Sequence, residues 1–319
     1  MVISAWVVGG SGLLGSALER RLRNRPRTGL FSCPINWTSE VESIRALRSA
    51  AESWLSDEGA DAFELYWAAG AGVTSSRPDA LEQELKVFSE FLAFLGDTTA
   101  LKGRGLSLFL SSSAGGVYAG SEGAPFTELS EPRPITPYGE TKLAMETVVR
   151  EFSTTSGARS FIGRLSNLYG PDQRIDKAQG FITHLCRSLM TRTPLSVYVP
   201  LDTMRDYIYA DDAATVIVAG MRMLTDEGHD SEVVLKNVCS GVPATIGHLL
   251  HEAKLVFKRS PALIVAPSAF AVGQVLDLRI ASIVWPELDR IPRRPLLIGL
   301  VQTRASMELQ RLSRGLPST

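Results

Sequence analysis

The sequence predicts a doubly wound α/β fold: a parallel sheet covered by helices on both faces, with a smaller, irregular lobe towards the C-terminus. Three observations predict it. Short apolar, β-branched runs alternate with amphipathic helices through the first half. The first of these runs leads through a glycine-rich turn into a helix. After about residue 166, prolines at 171, 194, 200, 243, 261, 267, 286, 292 and 295 break the rhythm.

In order, residues 2–8 form the first strand, followed by Gly9-Gly10-Ser11-Gly12-Leu13-Leu14-Gly15 and a helix over 16–23. A second strand covers 29–32. Residues 39–55 then carry Val41, Ile44, Leu47, Ala51 and Leu55 at helical spacing. Residues 63–69 are the third strand, and 80–95 a long helix with Leu81, Leu85, Phe88, Leu92 and Leu95 on one side. A buried strand over 106–110 runs into Ser111-Ser112-Ser113; a helix over 138–152 and a strand over 160–165 follow. Right-handed crossovers join such units. Helices at 181–191, 211–224 and 246–257 interrupt the second half. The expected organisation is a nucleotide-binding domain of residues 1–165 with about 203–240, and a substrate lobe of about 166–202 and 241–319. The lobe lies over the carboxyl edge of the sheet, where open α/β folds bind ligands.

Composition narrows the function classes. The 319 residues suffice for a substantial core, and 33 basic against 34 acidic residues give a net charge of -1. That balance provides no electrostatic reason for a nucleic acid or membrane partner. Cys33, Cys186 and Cys239 are odd in number and widely spaced, which excludes a disulfide framework or zinc ribbon and fits a reducing cytoplasm. Residues 1–8 are too short for a signal or membrane segment, and no later apolar run reaches membrane-spanning length. No metal site is expected: His248 and His251 lie three apart on a helix without a third ligand. Lysine is scarce, at 7 against 26 arginines, so each lysine bears examination.

Gly9-x-x-Gly12-x-x-Gly15 between strand and helix suits a dinucleotide diphosphate. Such a loop needs unusual dihedrals, close backbone approach and free helix N-terminal amides, here those of Leu13 and Leu14. A carboxylate ending the second strand would bind adenosine ribose and favour NAD, but Leu30-Phe31-Ser32-Cys33-Pro34 contains none. Arg20, Arg21, Arg23, Arg25 and Arg27 lie nearby in sequence, so the cofactor is expected to be NAD or NADP, with a slight lean to NADP. Those arginines equally suit a solvated helix end.

Tyr138 and Lys142 are four apart on one helical face, in Tyr138-Gly139-Glu140-Thr141-Lys142. A phenol is a poor acid-base group near its ordinary pKa of about 10, and an adjacent ammonium brings it towards neutrality. Upstream, Ser113 stands where a strand ends at the ligand edge, with Ser111 and Ser112 as competitors.

With these residues in place, the chain resembles the extended short-chain dehydrogenase/reductase superfamily, in particular its nucleotide-sugar epimerases, dehydratases and reductases. The resemblance runs through Gly9–Gly15, Trp67-Ala68-Ala69-Gly70, Ser111-Ser112-Ser113-Ala114-Gly115-Gly116-Val117-Tyr118, Thr136-Pro137-Tyr138 with Lys142, Arg164-Leu165-Ser166-Asn167-Leu168-Tyr169-Gly170-Pro171 and Arg205-Asp206-Tyr207-Ile208-Tyr209-Ala210-Asp211-Asp212. It implies a Rossmann fold and hydride exchange between a nicotinamide and a sugar carbon. Tyr138 is then the acid-base and Ser113 the orienting hydroxyl. Lys142 both lowers the tyrosine pKa and binds the nicotinamide ribose, and Gly9, Gly12, Leu13, Leu14, Gly15, Ala68 and Ala69 line the cofactor. By position, Asn167 and Arg205 contact the substrate diphosphate, Arg205 through its bidentate fork. Ser112 stays open as the alternative serine, because Ala114-Gly115-Gly116 makes the motif one residue longer than the common pattern.

The resemblance also sorts the reaction. The dehydratases carry an Asp-Glu pair where this chain has Ala114 and Gly115, and no cysteine stands in the serine motif as in the fucose-synthase type. A nucleoside-diphosphate-sugar 4-epimerase is therefore expected, with a 4-keto-sugar nucleotide reductase as the alternative, favoured by the short segment after the second strand. A non-catalytic nucleotide-binding regulator ranks lower, since Ser113, Tyr138 and Lys142 are all retained. A homodimer through the helices at 80–95 and 138–152 is expected, although their apolar faces equally suit burial within one chain.

Overall fold

The computed structural model describes residues 1–70, 72, 76–98, 104–173, 180–225, 232–265 and 275–313. The first half alternates as the periodicity predicts: β1 (Ile3–Val8), α1 (Leu13–Arg23), β2 (Thr28–Phe31), α2 (Glu40–Leu55), β3 (Ala62–Trp67), α3 (Pro78–Asp97), β4 (Gly105–Ser113), the single turn α4 (Ala114–Val117), α5 (Pro137–Ser156) and β5 (Arg159–Leu165). There follow β6 (Asn167–Tyr169), α6 (Phe181–Thr191), β7 (Leu195–Val197), β8 (Met204–Tyr209), α7 (Ala210–Thr225), β9 (Val233–Val238), β10 (Pro243–Thr245), α8 (Ile246–Phe257), β11 (Leu263–Val265), β12 (Asp277–Leu278), α9 (Pro286–Asp289) and α10 (Leu296–Ser313).

The main sheet has six parallel strands in the order β2-β1-β3-β4-β5-β9. β1 therefore sits between its two successors in sequence, and the crevice at the carboxyl ends of β1 and β3 is the switch point where ligands of open α/β sheets bind. Strand alternation splits the core. Trp6, Leu65 and Trp67 face α2, α3 and α5, against Trp54, Phe88, Phe91 and Phe152. Val7, Tyr66 and Phe109 face α1 and α7, against Leu18, Val216 and Ile217. The apolar stripes of α3 and α5 are thus buried within the chain.

Within the stretch 203–240, α7 packs on α1 and β9 closes the main sheet. β8, however, joins a small second sheet of order β10-β8-β12, with β6 also on β8. Around this sheet a separate core forms from α6, α8 and α10, including Leu185, Leu249, Leu300 and Met307. β4 ends at Ser113, as the sequence reading has it, because Ser111, Ser112 and Ser113 keep pairing with Gly163, Arg164 and Leu165. One feature differs from that reading. An 18-residue helix, α10, stands where prolines predicted irregular chain; Pro292 and Pro295 precede the helix and leave its interior intact. No described helix is long and apolar enough to cross a membrane.

Candidate active site

The glycine loop is built by contact. Gly9 has φ +92°, and a Cβ there would lie 2.6 Å from the backbone nitrogen of Ala69. A Cβ on Gly15 would collide with the Gly9 carbonyl oxygen. Gly12 N–H donates to that carbonyl at 2.9 Å, and Gly12 opens α1 without a side-chain cap. The first-turn amides of Leu13 and Leu14 therefore lack an intrahelical acceptor, and the first turn of α1 itself carries no acidic residue. Ala68 N–H bonds to Val8 O at 2.9 Å, which brings the end of β3 against the loop. This cradle fits a dinucleotide diphosphate.

The arginines after this loop lie elsewhere. α1 runs back to the amino edge of the sheet, where Ile3 N–H bonds to Arg27 O at 2.9 Å. Arg20 pairs with Asp211 at 2.7 Å and with Asp172, while Arg25 is buried on Glu64 at 2.6 Å. Helix direction therefore carries Arg20, Arg21, Arg23, Arg25 and Arg27 away from the carboxyl end of β2, so they do not support NADP over NAD. Residues 32–38, which follow that strand, hold neither acid nor base.

Thr136 caps α5, its Oγ1 accepting from Gly139 N–H at 3.2 Å, and Pro137 occupies the first turn. Gly139 packs so tightly on α4 that a Cβ would strike the Gly116 carbonyl oxygen. This approach lays the Tyr138 ring on Gly116, 3.1 Å from where a Cβ there would stand. Gly116 N–H in turn donates to Ser113 Oγ at 3.1 Å, so one glycine adjoins both Ser113 and Tyr138. Strand alternation separates the serines. Ser112 is buried, and its hydroxyl donates to Glu146 Oε1 at 2.6 Å beside the buried Glu146–Arg164 pair. Ser113 points to the other side and is half-buried.

Lys142 Nζ lies 5.7 Å from the Tyr138 ring centroid and 2.8 Å from Glu84 Oε1. Burial works against the ammonium, but the Glu84 carboxylate and Tyr138 hold its pKa above the ordinary lysine value. Gly70 and Gly72 wrap the pair: a Cβ on Gly70 would lie 2.8 Å from Glu84 Oε1, and one on Gly72 3.4 Å from the Tyr138 ring. Sequence reasoning missed Glu84, because it stands 58 residues from Lys142.

In the small sheet, Asn167 pairs with Tyr207. Arg205 stands two residues from Tyr207, so Asn167 and Arg205 share a sheet face. Asn167 Nδ2 donates to Asp206 O at 2.9 Å, and Arg205 Nη1 donates to Met204 O at 2.8 Å. Neither neighbouring acid pairs with Arg205: Asp206 accepts from Ser240 and Gly241, and Asp211 pairs with Arg20. Burial lowers the Arg205 pKa, with Tyr207 and the Asp277 carboxylate working against it. His248 lies 3.7 Å from Glu252 on α8, outside this cleft.

Comparison with known proteins decides the family. The profile of the NAD dependent epimerase/dehydratase family matches residues 5–235. The chain belongs to that family. Among relatives, dTDP-4-dehydro-6-deoxyglucose reductase of Escherichia coli is 30% identical over 185 residues, 57% of this chain and 57% of the relative. UDP-glucose 4-epimerase of Azospirillum brasilense is 28% identical over 221 residues, 64% of this chain and 61% of the relative. Each match thus spans less than two thirds of the relative's length. Among solved structures, UDP-glucuronic acid 4-epimerase from Bacillus cereus, in complex with UDP-glucuronic acid and NAD, has TM-score 0.73 at 18% identity, covering 96% of this chain and 99% of its own. RMD from Pseudomonas aeruginosa, complexed with NADPH, has TM-score 0.71 at 21% identity, with coverage of 96% and 99%. These two likenesses establish the fold of this family member.

Proposed function

We propose that this family member binds NAD or NADP and performs reversible oxidation and reduction at C4 of a nucleoside-diphosphate sugar, as a 4-epimerase. The observation that carries the reading is the buried Lys142 ammonium beside the Tyr138 ring, at the sheet edge that also holds the glycine cradle. The nicotinamide, when bound, supplies the hydride acceptor and donor. Tyr138 takes the proton from the sugar 4-hydroxyl and returns it to the 4-keto oxygen, with Lys142 stabilising the phenolate. Ser113 shares the substrate oxygen, and Asn167 and Arg205 hold the diphosphate, Arg205 through its bidentate fork. The glycine loop, Leu13, Leu14, Ala68 and Ala69 hold the cofactor. A cytoplasmic homodimer, tested by light scattering, belongs to the same proposal.

One observation favours reduction of a 4-keto-sugar nucleotide as a second reading: Glu84 partly neutralises the Lys142 ammonium beside Tyr138 and so weakens its support of a phenolate. Incubation of the purified protein with UDP-sugars, without added cofactor, is expected to give the C4 epimer. Stoichiometric loss of NADPH with a 4-keto sugar, and no epimer, replaces the first reading with the second. Absence of both overturns the proposal.

A further inference from the structure

We propose that Glu84 is a positioning residue of the active site, which fixes the Lys142 ammonium beside Tyr138 and offsets its charge there. The inference rests on the acid-base reading of Tyr138 above.

Three observations carry it. Glu84 Oε1 is 2.8 Å from Lys142 Nζ, and the two side chains are 14% and 7% exposed, so the pair is shielded from the screening that weakens surface pairs. The second oxygen, Oε2, accepts from Gly72 N–H at 3.4 Å, which ties the carboxylate to the loop beside the Tyr138 ring. α3 and α5, which carry the two partners, pack along each other on one face of the sheet, so the pair is held by helix packing rather than by side-chain reach alone.

The electrostatic surroundings are simple. α5 contributes Lys142 itself and Glu146, and Glu146 is neutralised by Arg164 of β5. α3 contributes Glu84. β4 presents serines, while α4 and residues 68–75 contain no ionisable side chain. The charge balance next to the phenol is therefore set by Lys142 and Glu84. An unpaired ammonium would stabilise the phenolate strongly, whereas a carboxylate on that ammonium offsets the effect. Glu84 accordingly weakens the hold of the ammonium on a phenolate, which suits delivery of a proton to a keto oxygen.

The test is a spectrophotometric titration of tyrosine ionisation in the cofactor-free protein, with Tyr138→Phe subtracted to isolate Tyr138. In Glu84→Gln, which preserves shape and can still accept from Lys142, the Tyr138 midpoint is expected to fall by about one pH unit. Glu84→Asp, which keeps the charge, is expected to stay near wild type. Glu84→Ala reads the same fall should the Gln variant fold poorly. An unchanged midpoint in the neutral variants overturns the proposal, as does an equal fall in Glu84→Asp. This titration uses no sugar nucleotide, so it reads Glu84 even if no C4 chemistry is found. Conversely, turnover by wild type with an unmoved Glu84→Gln midpoint removes the role of Glu84 and leaves the proposed reaction standing. In active protein, the basic limb of the kcat/KM profile for reduction is expected to move down by the same amount.

Discussion

Lys236 and Lys142 are both buried, and the protein treats them in opposite ways. On β9, at the edge of the main sheet, the Lys236 ammonium is fully enclosed and meets three acceptors: Ser282 Oγ at 2.6 Å, Val284 O at 2.6 Å and Asp289 Oδ1 at 2.7 Å. An ammonium has three donors, so this one is saturated. On α5, Lys142 has one short bond, to Glu84, and a 3.7 Å contact with Met145 Sδ. The first arrangement ties β9 to the segment around α9. The second leaves donor capacity facing a cleft, which is a poor way to stabilise a fold and a useful way to meet a ligand.

Replacing each lysine by methionine sharpens that contrast most. Lys142→Met is expected to lower turnover by about 10²–10⁴-fold, the span of acid-base contributions, with a stability loss from stranding Glu84 that is smaller than that of Lys236→Met, because Lys142 makes one short bond and Lys236 three. Tyr138→Phe should lose turnover on the same scale while cofactor binding, followed by fluorescence, is retained. Lys236→Met should cost about 1–3 kcal/mol in denaturant unfolding, because Val284 O and Ser282 Oγ lose their enclosed donor, with per-molecule activity of the folded fraction kept. Equal stability losses in the two lysine variants would break the comparison.

The serines extend it on a smaller scale. Ser113→Ala should reduce kcat by about 10²-fold, as when one oriented hydroxyl is removed from a reacting oxygen, with a stability loss of about 0.5–1 kcal/mol because its Oγ also accepts from Gly116 N–H at the start of α4. Ser112→Ala should cost about 1–2 kcal/mol, since its hydroxyl serves the buried Glu146 carboxylate, and leave kcat near wild type. Reversal of these two outcomes in kinetics and melting would move the catalytic role to Ser112. Arg205→Gln is expected to raise KM for a nucleotide sugar by about tenfold with a smaller change in kcat.

The smallest effect concerns pH. Lys142 titrates above its ordinary value of 10.5 in the folded chain. The pair's contribution to stability is therefore complete below pH 10.5 and declines as pH rises through the higher folded value. The difference in unfolding midpoint between wild type and Glu84→Gln should stay constant from about pH 6 to 9 and shrink above about 10.5.

What was readable in the sequence follows from the range of the interactions. The glycine loop and the Tyr138–Lys142 spacing are local, because each depends on a few consecutive dihedrals or one helical turn. Glu84 was illegible: beside Glu82 and Gln83 on an exposed helix start it looks like a solvated acid, and only α3–α5 packing reveals its partner. The serines were undecidable, since strand alternation says that Ser112 and Ser113 point apart but not which one meets the core; Glu146 and Arg164 settle that. Arg20–Arg27 misled because sequence proximity to β2 hides the reversal of direction along α1. α10 was missed because flanking prolines drew attention away from a helix whose apolar face emerges only against α8.

The contact between Gly116 and Gly139 has a consequence for redesign. Two backbones touching without intervening side chains leave α5 no room to slide or tilt, so the position of the reacting phenol is inherited from main-chain geometry. Attempts to retune substrate choice by diversifying α4 or α5 would mostly yield misplaced phenols. The mutable surface is the small sheet of β6 and β8 with the helices behind it, where Asn167 and Arg205, proposed above to hold the diphosphate, are side chains on a separate core. A library confined to that lobe would vary what is held while the chemistry stays where it is.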